Sequence, residues 1–427
     1  LAYLIKVRKM KKTLLLFLLM AVFGFACTSN VSSEKHPEKT SQVNKPELPS
    51  AAGKSSKMRR HRLPEGVISV DIASSKGRLH LLLGKHEQGK KTLLYQNSDD
   101  QGVTWSVPAK VVDTENLQAN INRGNDAQIA VQGDTIVVTW MRYVEAARFH
   151  AGPMQAARST DGGKTWQASA TPPDWAKGPH GYTDLAADEQ AFHAVWLDTR
   201  GKRSKLKASQ SLRYAKSEDG GLTWLANNTL DEVTCSCCWN TVKSDSDNKA
   251  YVLYRDKQPS DLAIGVVDTQ QHWQRLNNVG AFNWQFDGCP HIGGDFDFQT
   301  VAGKTVMHSV VGTGHADHLG VHYTRSENKG ENWSPTIQLG DESALHANIA
   351  AGDDGRVVAV WDMNAEQGLG IFVSESVDQG TQWSKPIQIS ESDSRASHPI
   401  VIKTKTGFFS VWTEHDGKQQ KINTRSL

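Results

Sequence analysis

Five times in this chain an eight-residue stretch returns: SDDQGVTW at 98–105, STDGGKTW at 159–166, SEDGGLTW at 217–224, SENKGENW at 326–333 and SVDQGTQW at 376–383. Each part of the pattern has a physical use. The serine and the acid two places on can bond turn amides, the glycine supplies a positive φ, and the tryptophan packs back between sheets. Asn328 replaces the acid in the fourth copy and keeps a turn-bonding side chain. A degraded sixth copy, VVDTQQHW at 266–273, retains Asp268 and Trp273 without the glycine.

Self-similarity of this kind decides architecture before any local propensity does. A second recurring element lies among the turns. TIVVTWMR, AFHAVWLDTR, KAYVLYRD, RVVAVWDM and GFFSVWTE alternate with period two and centre on Trp140, Trp196, Tyr254, Trp361 and Trp412. RLHLLLGK near Leu83 and TVMHSVVG near Ser309 are weaker members, and the seven centres lie 51–58 residues apart. That length holds four strands, one blade of a propeller. The expectation is an all-β chain, a β-propeller of seven blades over 66–427, with six blades as the alternative. The aromatic-ended strands are read as the inner strands. The last unit stops after its third strand, at KINTRSL, so residues just before 67 are expected to supply the fourth.

The turn resembles the Asp box of the sialidase, or BNR-repeat, superfamily, and the resemblance runs from about residue 67 to the C-terminus. The full pattern CSCCWN…YVLYRD…DGCPHIGG looks like a subgroup of sialidase-like exported proteins. The resemblance implies a carbohydrate-active propeller, an exo-α-sialidase-like glycoside hydrolase, with a glycan or other small anionic ligand. Sialidases grip the sugar carboxylate with three arginines, because a guanidinium fork matches a carboxylate bidentately. They add an Asp acid/base and a Tyr nucleophile. Arg142, Arg200 and Arg255, which follow three successive aromatic-ended strands, are the candidates for the grip, with Arg123 nearby. Asp184 and Asp256 are candidate acids, alongside Asp126 and Asp198, and Tyr182 is the candidate nucleophile, alongside Tyr143 and Tyr254. The family's Arg-Ile-Pro is absent, HRLPEG being the nearest string. Asp boxes also occur in proteins that are not sialidases, so the turn argues fold more than activity.

The stretch EVTCSCCWN gathers Cys235, Cys237 and Cys238 in a chain with only two other cysteines, Cys27 and Cys289. In propellers the blade-to-blade links and the second-to-third-strand loops share the channel-mouth face, while Asp boxes lie on the other. The cysteines fall in such links, as do His180, His291, His346 and His398. His150, His315, His318 and His415 fall in the loops, so half of the sixteen histidines are assigned to one rim. Two readings compete. One is a disulfide between Cys289 and a member of the cluster; the other is a metal site of Cys235, Cys237, Cys238, Cys289 and His291, suited to copper or zinc. Trp239 and Trp284 are expected to screen it. A non-hydrolytic metal-binding propeller, or a glycan- or protein-binding module, is therefore the alternative function.

Lys11 and Lys12 precede TLLLFLLMAVFGFA, an apolar run too short to span a bilayer comfortably, which ends at Cys27. Gly24 and Ala26 before that cysteine resemble a bacterial lipoprotein cleavage site, with Gly24 where leucine is usual. Residues 1–27 read as a signal peptide with Cys27 lipidated, 28–65 as a flexible polar linker, and 66–427 as the propeller. The expected location is the bacterial cell envelope, as an exported lipoprotein on the periplasmic or outer-membrane side. Membrane contact would be through the lipid only, in a compartment that permits disulfides. With 48 basic against 46 acidic residues, no nucleic-acid partner is expected. A monomer is expected.

Overall fold

Alternating strands broken by glycine turns leave each strand pair with two apolar faces to cover, and stacking successive units covers them. The computed structural model describes residues 63–200, 209–392 and 395–427, all within the compact unit His61–Leu427. Residues 1–62, which include the expected signal peptide, Cys27 and most of the expected linker, lie outside the described residues. The strands run as seven consecutive antiparallel meanders, here units 1 to 7, at 66–110, 128–168, 181–235, 241–279, 294–339, 345–388 and 395–426. Units 1 to 6 have four strands and unit 7 has three.

Core clusters form between neighbouring units. Val195 and Leu212 of unit 3 pack with Val242 and Val252 of unit 4, and Val310 of unit 5 packs with Val357 and Trp361 of unit 6. The last such cluster joins Val70 and Leu81 of unit 1 to Phe409 and Val411 of unit 7, which closes the ring of a β-propeller. At the closure Gly66 pairs in parallel with Gln420, and the Glu65 carbonyl accepts the Gln420 N–H at 2.8 Å. The incoming chain thus runs beside the free edge of unit 7. The rest of the segment expected there, residues 56–62, lies outside the described ones.

One expectation about strand position is corrected. The aromatic-ended strands, among them Thr135–Tyr143, Phe192–Asp198 and Val357–Ala365, are the second strands of their units. The aromatics fill the space between units. The innermost strands, such as Gln128–Gln132 and Gly181–Ala187, face the channel and carry polar side chains instead.

Those innermost strands have one edge without a sheet partner, and acids stitch it to the next unit. Asp71 accepts the Ile129 N–H at 2.7 Å, Asp184 that of Val242 at 2.7 Å, Asp295 that of Ile349 at 3.0 Å, and Asp297 that of Ala351 at 2.9 Å. Unpaired strand amides are costly to bury, so each carboxylate here replaces a missing ladder bond.

The Asp boxes join third and fourth strands, on the face opposite the blade-to-blade links. In the second copy Ser159 Oγ accepts the Gly163 N–H at 2.9 Å and donates to Asp161 at 2.8 Å. Asp161 in turn accepts the Thr165 N–H and hydroxyl at 2.9 and 2.6 Å, bonds that hold its carboxyl down at about 2. Gly163 has φ +87°, and a Cβ there would sit 2.1 Å from Tyr95 of the preceding unit. Conformation and contact both demand glycine.

Candidate functional site

The link from unit 3 to unit 4 leaves the strand Asn228–Cys235 and turns at once, which buries Cys235, Cys237 and Cys238. The next link, from unit 4 to unit 5, brings in Cys289 and His291. Cys237 and Cys289 form a disulfide with a Cα separation of 5.8 Å, and the Cys235 sulfur lies 3.9 Å from that of Cys237. Cys235 and Cys238 are free thiols. Their shared hydrogen bond holds Cys235 below an ordinary thiol, while burial pushes Cys238 up. Donor atoms of Cys237, Cys289 and His291 lie within 4.8 Å of one another, as do the sulfurs of Cys235, Cys237 and Cys238. The five residues singled out by the cysteine pattern therefore form two groups joined through Cys237.

They meet at the edge of a cavity of about 1530 Å³ at the channel mouth. Its wall includes Asn120, Asn122, Arg123, Arg148, Phe149, Tyr182, Trp239, His346 and His398. The loop between the second and third strands of unit 2 supplies Arg148 and Phe149. Phe149 stands 77% exposed with φ 56°, and the Arg148 guanidinium lies 4.8 Å from its ring centre. Asn120 donates to the Phe149 carbonyl at 3.0 Å and ties that loop down. Arg123 is committed to protein partners: it donates to Asp126 at 2.6 Å, to the Val70 carbonyl at 2.9 Å and to the His398 carbonyl.

A further group sits on the same rim, and the sequence reading singled out only part of it. His346 Nδ1 lies 2.7 Å from Asp362 Oδ2, which also accepts the His398 backbone N–H at 2.9 Å. The two imidazoles stack at 3.9 Å with 14° between planes, and the Trp239 ring stands edge-on to both at 5.1 and 5.8 Å. Burial, then the charges of His346 and Arg123, drive the His398 pKa far down. Asp362 was missed because it reads as part of the strand VVAVWDM; its acid directly after the tryptophan, where no other unit has an acid, is the available signal.

The proposed arginine grip does not form. Arg255 is buried and donates to the carbonyls of Ile292, Ser260 and Gly312, with its guanidinium 5.2 Å from the Trp284 ring centre. Arg200 is held by Asp198 at 2.8 Å and by Asp174, and Arg142 is exposed at the end of its strand. None of the three lines the mouth cavity. The reason is local: Arg255 lies beneath the neighbouring link and bonds backbone carbonyls there, and Arg200 turns onto the carboxylates of Asp198 and Asp174.

The candidate acids also have other partners. Asp184 is the channel stitch already described, its carboxyl raised to about 7 by burial. Asp256 accepts the Lys257 N–H at 2.6 Å and Arg275 at 3.0 Å, with burial pushing its pKa up. Tyr182 does line the mouth, packed on the cysteine cluster, and burial raises its phenol well above the usual range. Of the eight rim histidines, His291, His346 and His398 line the cavity. His180 is buried, accepting the Met154 N–H at 3.0 Å. Trp239 screens the rim, whereas Trp284 stacks on Phe286 at 5.0 Å, away from the cavity wall.

Closed ring, Asp boxes and a polar mouth on the opposite face together define an Asp-box β-propeller. A sequence model of the BNR/Asp-box repeat matches residues 157–168, the second copy of the turn. The turn is that of the BNR/Asp-box repeat. Among solved structures, a polysaccharide lyase of family PL25, an ulvan lyase bound to -[GlcA(1-4)Rha3S]-, matches with a TM-score of 0.55 at 12% identity, covering 85% of this chain and 96% of that one. Trypanosoma rangeli sialidase in complex with sialic acid gives 0.47 at 13% identity, covering 85% of this chain and 54% of the other. YCF48 bound to D1 peptide gives 0.49 at 13% identity, over 86% and 93%. No curated protein sequence matches. At these identities the likeness concerns the fold.

Proposed function

We propose that the protein is a carbohydrate-active propeller that takes an acidic glycan at its channel mouth, held at the bacterial cell envelope as a monomeric lipoprotein. The observation that carries this is the exposed Phe149 ring beside Arg148 at a cavity of about 1530 Å³ that asparagines also line. A bare aromatic face suits the C–H face of a sugar, amides suit its hydroxyls, and a guanidinium suits a carboxylate or sulfate. The finer reading is an exo-α-sialidase acting on sialic-acid-like sugars. Its arginine grip would have to centre on Arg148, since Arg123, Arg200 and Arg255 are engaged by protein partners and Arg142 does not line the cavity.

Titration with sialyl, uronate-containing and sulfated oligosaccharides tests the reading, with neutral oligosaccharides for comparison. Binding is expected for acidic sugars only, and Phe149→Ala should weaken it by about 1 kcal/mol or more, roughly fivefold. Equal binding by wild type and Phe149→Ala, or none at all, would overturn it. Turnover of a fluorogenic sialoside decides the hydrolase question separately.

A second reading keeps its own support. With the Cys237–Cys289 bond reduced, the cysteines and His291 would offer two three-donor groups that share Cys237, each within reach of a soft ion such as Cu(I) or Zn(II). Metal analysis with thiol counting on one sample tests it; two free cluster thiols and no bound metal would remove it.

A further inference from the structure

The rim group His346, Asp362 and His398 brings two unpartnered buried polar atoms together at the mouth. Asp362 is fully buried, yet only its Oδ2 is used; Oδ1 has no partner. His398 Nδ1 is likewise buried and unpartnered. Buried acceptors without partners are costly, at about 1–3 kcal/mol each, and a native fold keeps few of them. Here two fall in one group, and both Arg123 Nη atoms are already taken by Asp126 and by backbone carbonyls.

The backbone has been shaped to bring the two histidines together. His346 opens the innermost strand of unit 6 and His398 occupies the matching place in unit 7. Both sit at a register shift, between Leu345 and Asn348 and between Ser397 and Ile400. Both have left-handed φ, 45° and 54°, which a non-glycine residue adopts at a cost. Bulges re-aim side chains next to functional sites. The result is two imidazoles face to face over one carboxylate, with donor atoms of all three within 4.8 Å of one another. Trp239 closes one side and the mouth cavity lies on another.

We propose that His346, Asp362 and His398 form a binding site for one divalent transition-metal ion of the Zn(II)/Cu(II) class, with an open position toward the mouth cavity. Two imidazoles and a carboxylate are the donor set such borderline ions prefer, whereas a soft Cu(I) would choose the thiols. The ion would sit against the unpartnered Asp362 oxygen and imidazole nitrogen, and the His346–Asp362 contact would fix the imidazole orientation. The Arg123 charge does not oppose it strongly, being paired with Asp126 at 2.6 Å. The site does not rest on the glycan reading.

The test uses the full chain, stripped with chelator and titrated separately with Zn(II) and Cu(II). One ion per chain is expected, with the Cu(II) spin-resonance spectrum showing coupling to two nitrogens and no thiolate-to-copper charge-transfer band. Asp362→Asn and His346→Ala should each weaken Zn(II) binding by at least about tenfold. His346 is only half-buried, so its variant carries the test if Asp362→Asn fails to fold. Unchanged Zn(II) affinity in His346→Ala, a thiolate charge-transfer band, or no binding by the wild type would each overturn the proposal.

Discussion

Replacing Arg255 separates a structural arginine from a ligand-gripping one. Its side chain is 1% exposed and donates from Nε, Nη1 and Nη2 to three carbonyls of the loops around the unit 4–unit 5 junction. Arg255→Ala leaves three buried acceptors, each costing about 1–3 kcal/mol if nothing replaces the donor. Water entering the space lowers that sum, and removal of one partner from a buried charged network typically costs about 3–5 kcal/mol. We expect that range. With a urea slope near the upper end for globular domains, about 3 kcal/mol/M, the unfolding midpoint followed by tryptophan fluorescence should fall by roughly 1–1.5 M. Arg255→Lys should fall between, because an ammonium cannot reach three diverging acceptors at once. Affinity for any mouth ligand should stay unchanged in the folded protein, since Arg255 does not line that cavity. An alanine variant with the wild-type midpoint and lost acidic-glycan affinity would refute the reasoning and restore the grip.

Trp166→Ala removes a half-buried ring that meets Tyr95 of unit 1 edge-on at 5.4 Å and donates to the Gly163 carbonyl at 3.1 Å. It should cost about 2–4 kcal/mol with mouth affinity untouched, and a binding defect in folded variant would show the faces to be misassigned. Cys289→Ser opens a crosslink spanning 52 residues and should cost up to about 4 kcal/mol on loop entropy; a wild-type midpoint insensitive to reductant would contradict this. Asp184, raised to about 7 by burial, holds a proton in the native state that the unfolded chain releases near 4. Stability should therefore fall as pH rises from about 4 to 7, by at most about 1.4 kcal/mol per pH unit from this group. Asp184→Asn should flatten that part of the profile, and an identical pH dependence in both proteins would exclude Asp184 as its source.

The propeller was legible because its signals are local and repeated. Each Asp box states its own turn, down to the glycine whose absent side chain makes room for Tyr95. The spacing of the aromatic strands then sets the unit. Which strand of a unit is innermost was read wrongly, and for a physical reason. An apolar strand ending in tryptophan looks like the most buried element, but in a ring the apolar space lies between units and the axis is polar. Channel strands such as GYTDLAA therefore carry the acids that satisfy their own free edge. Asp184 was a candidate acid only because the resemblance calls for one; in the structure the neighbouring Val242 amide takes its carboxylate.

The site was legible wherever chemistry was concentrated in sequence and illegible where the fold assembled it. Three cysteines in four positions announced themselves, and the blade order placed Cys289 and His291 beside them. Side-chain direction was the missing information for the arginines: Arg255 ends its strand and Arg200 lies two residues beyond the equivalent one, but the latter turns onto Asp198 and the former runs under a link to three carbonyls. The His346–Asp362–His398 group combines both cases. Its histidines occupy matching bulges of adjacent units and could be paired by repeat alignment. Its aspartate lies on a different strand, opposite Leu345 in the sheet register, so only tertiary structure brings the carboxylate beneath the rings. The repeat supplies equivalent positions at the rim, and the individual residues at those positions determine what the mouth can bind. Substitution there should alter ligand or ion affinity with little loss of fold, whereas substitution in the Asp boxes should do the reverse.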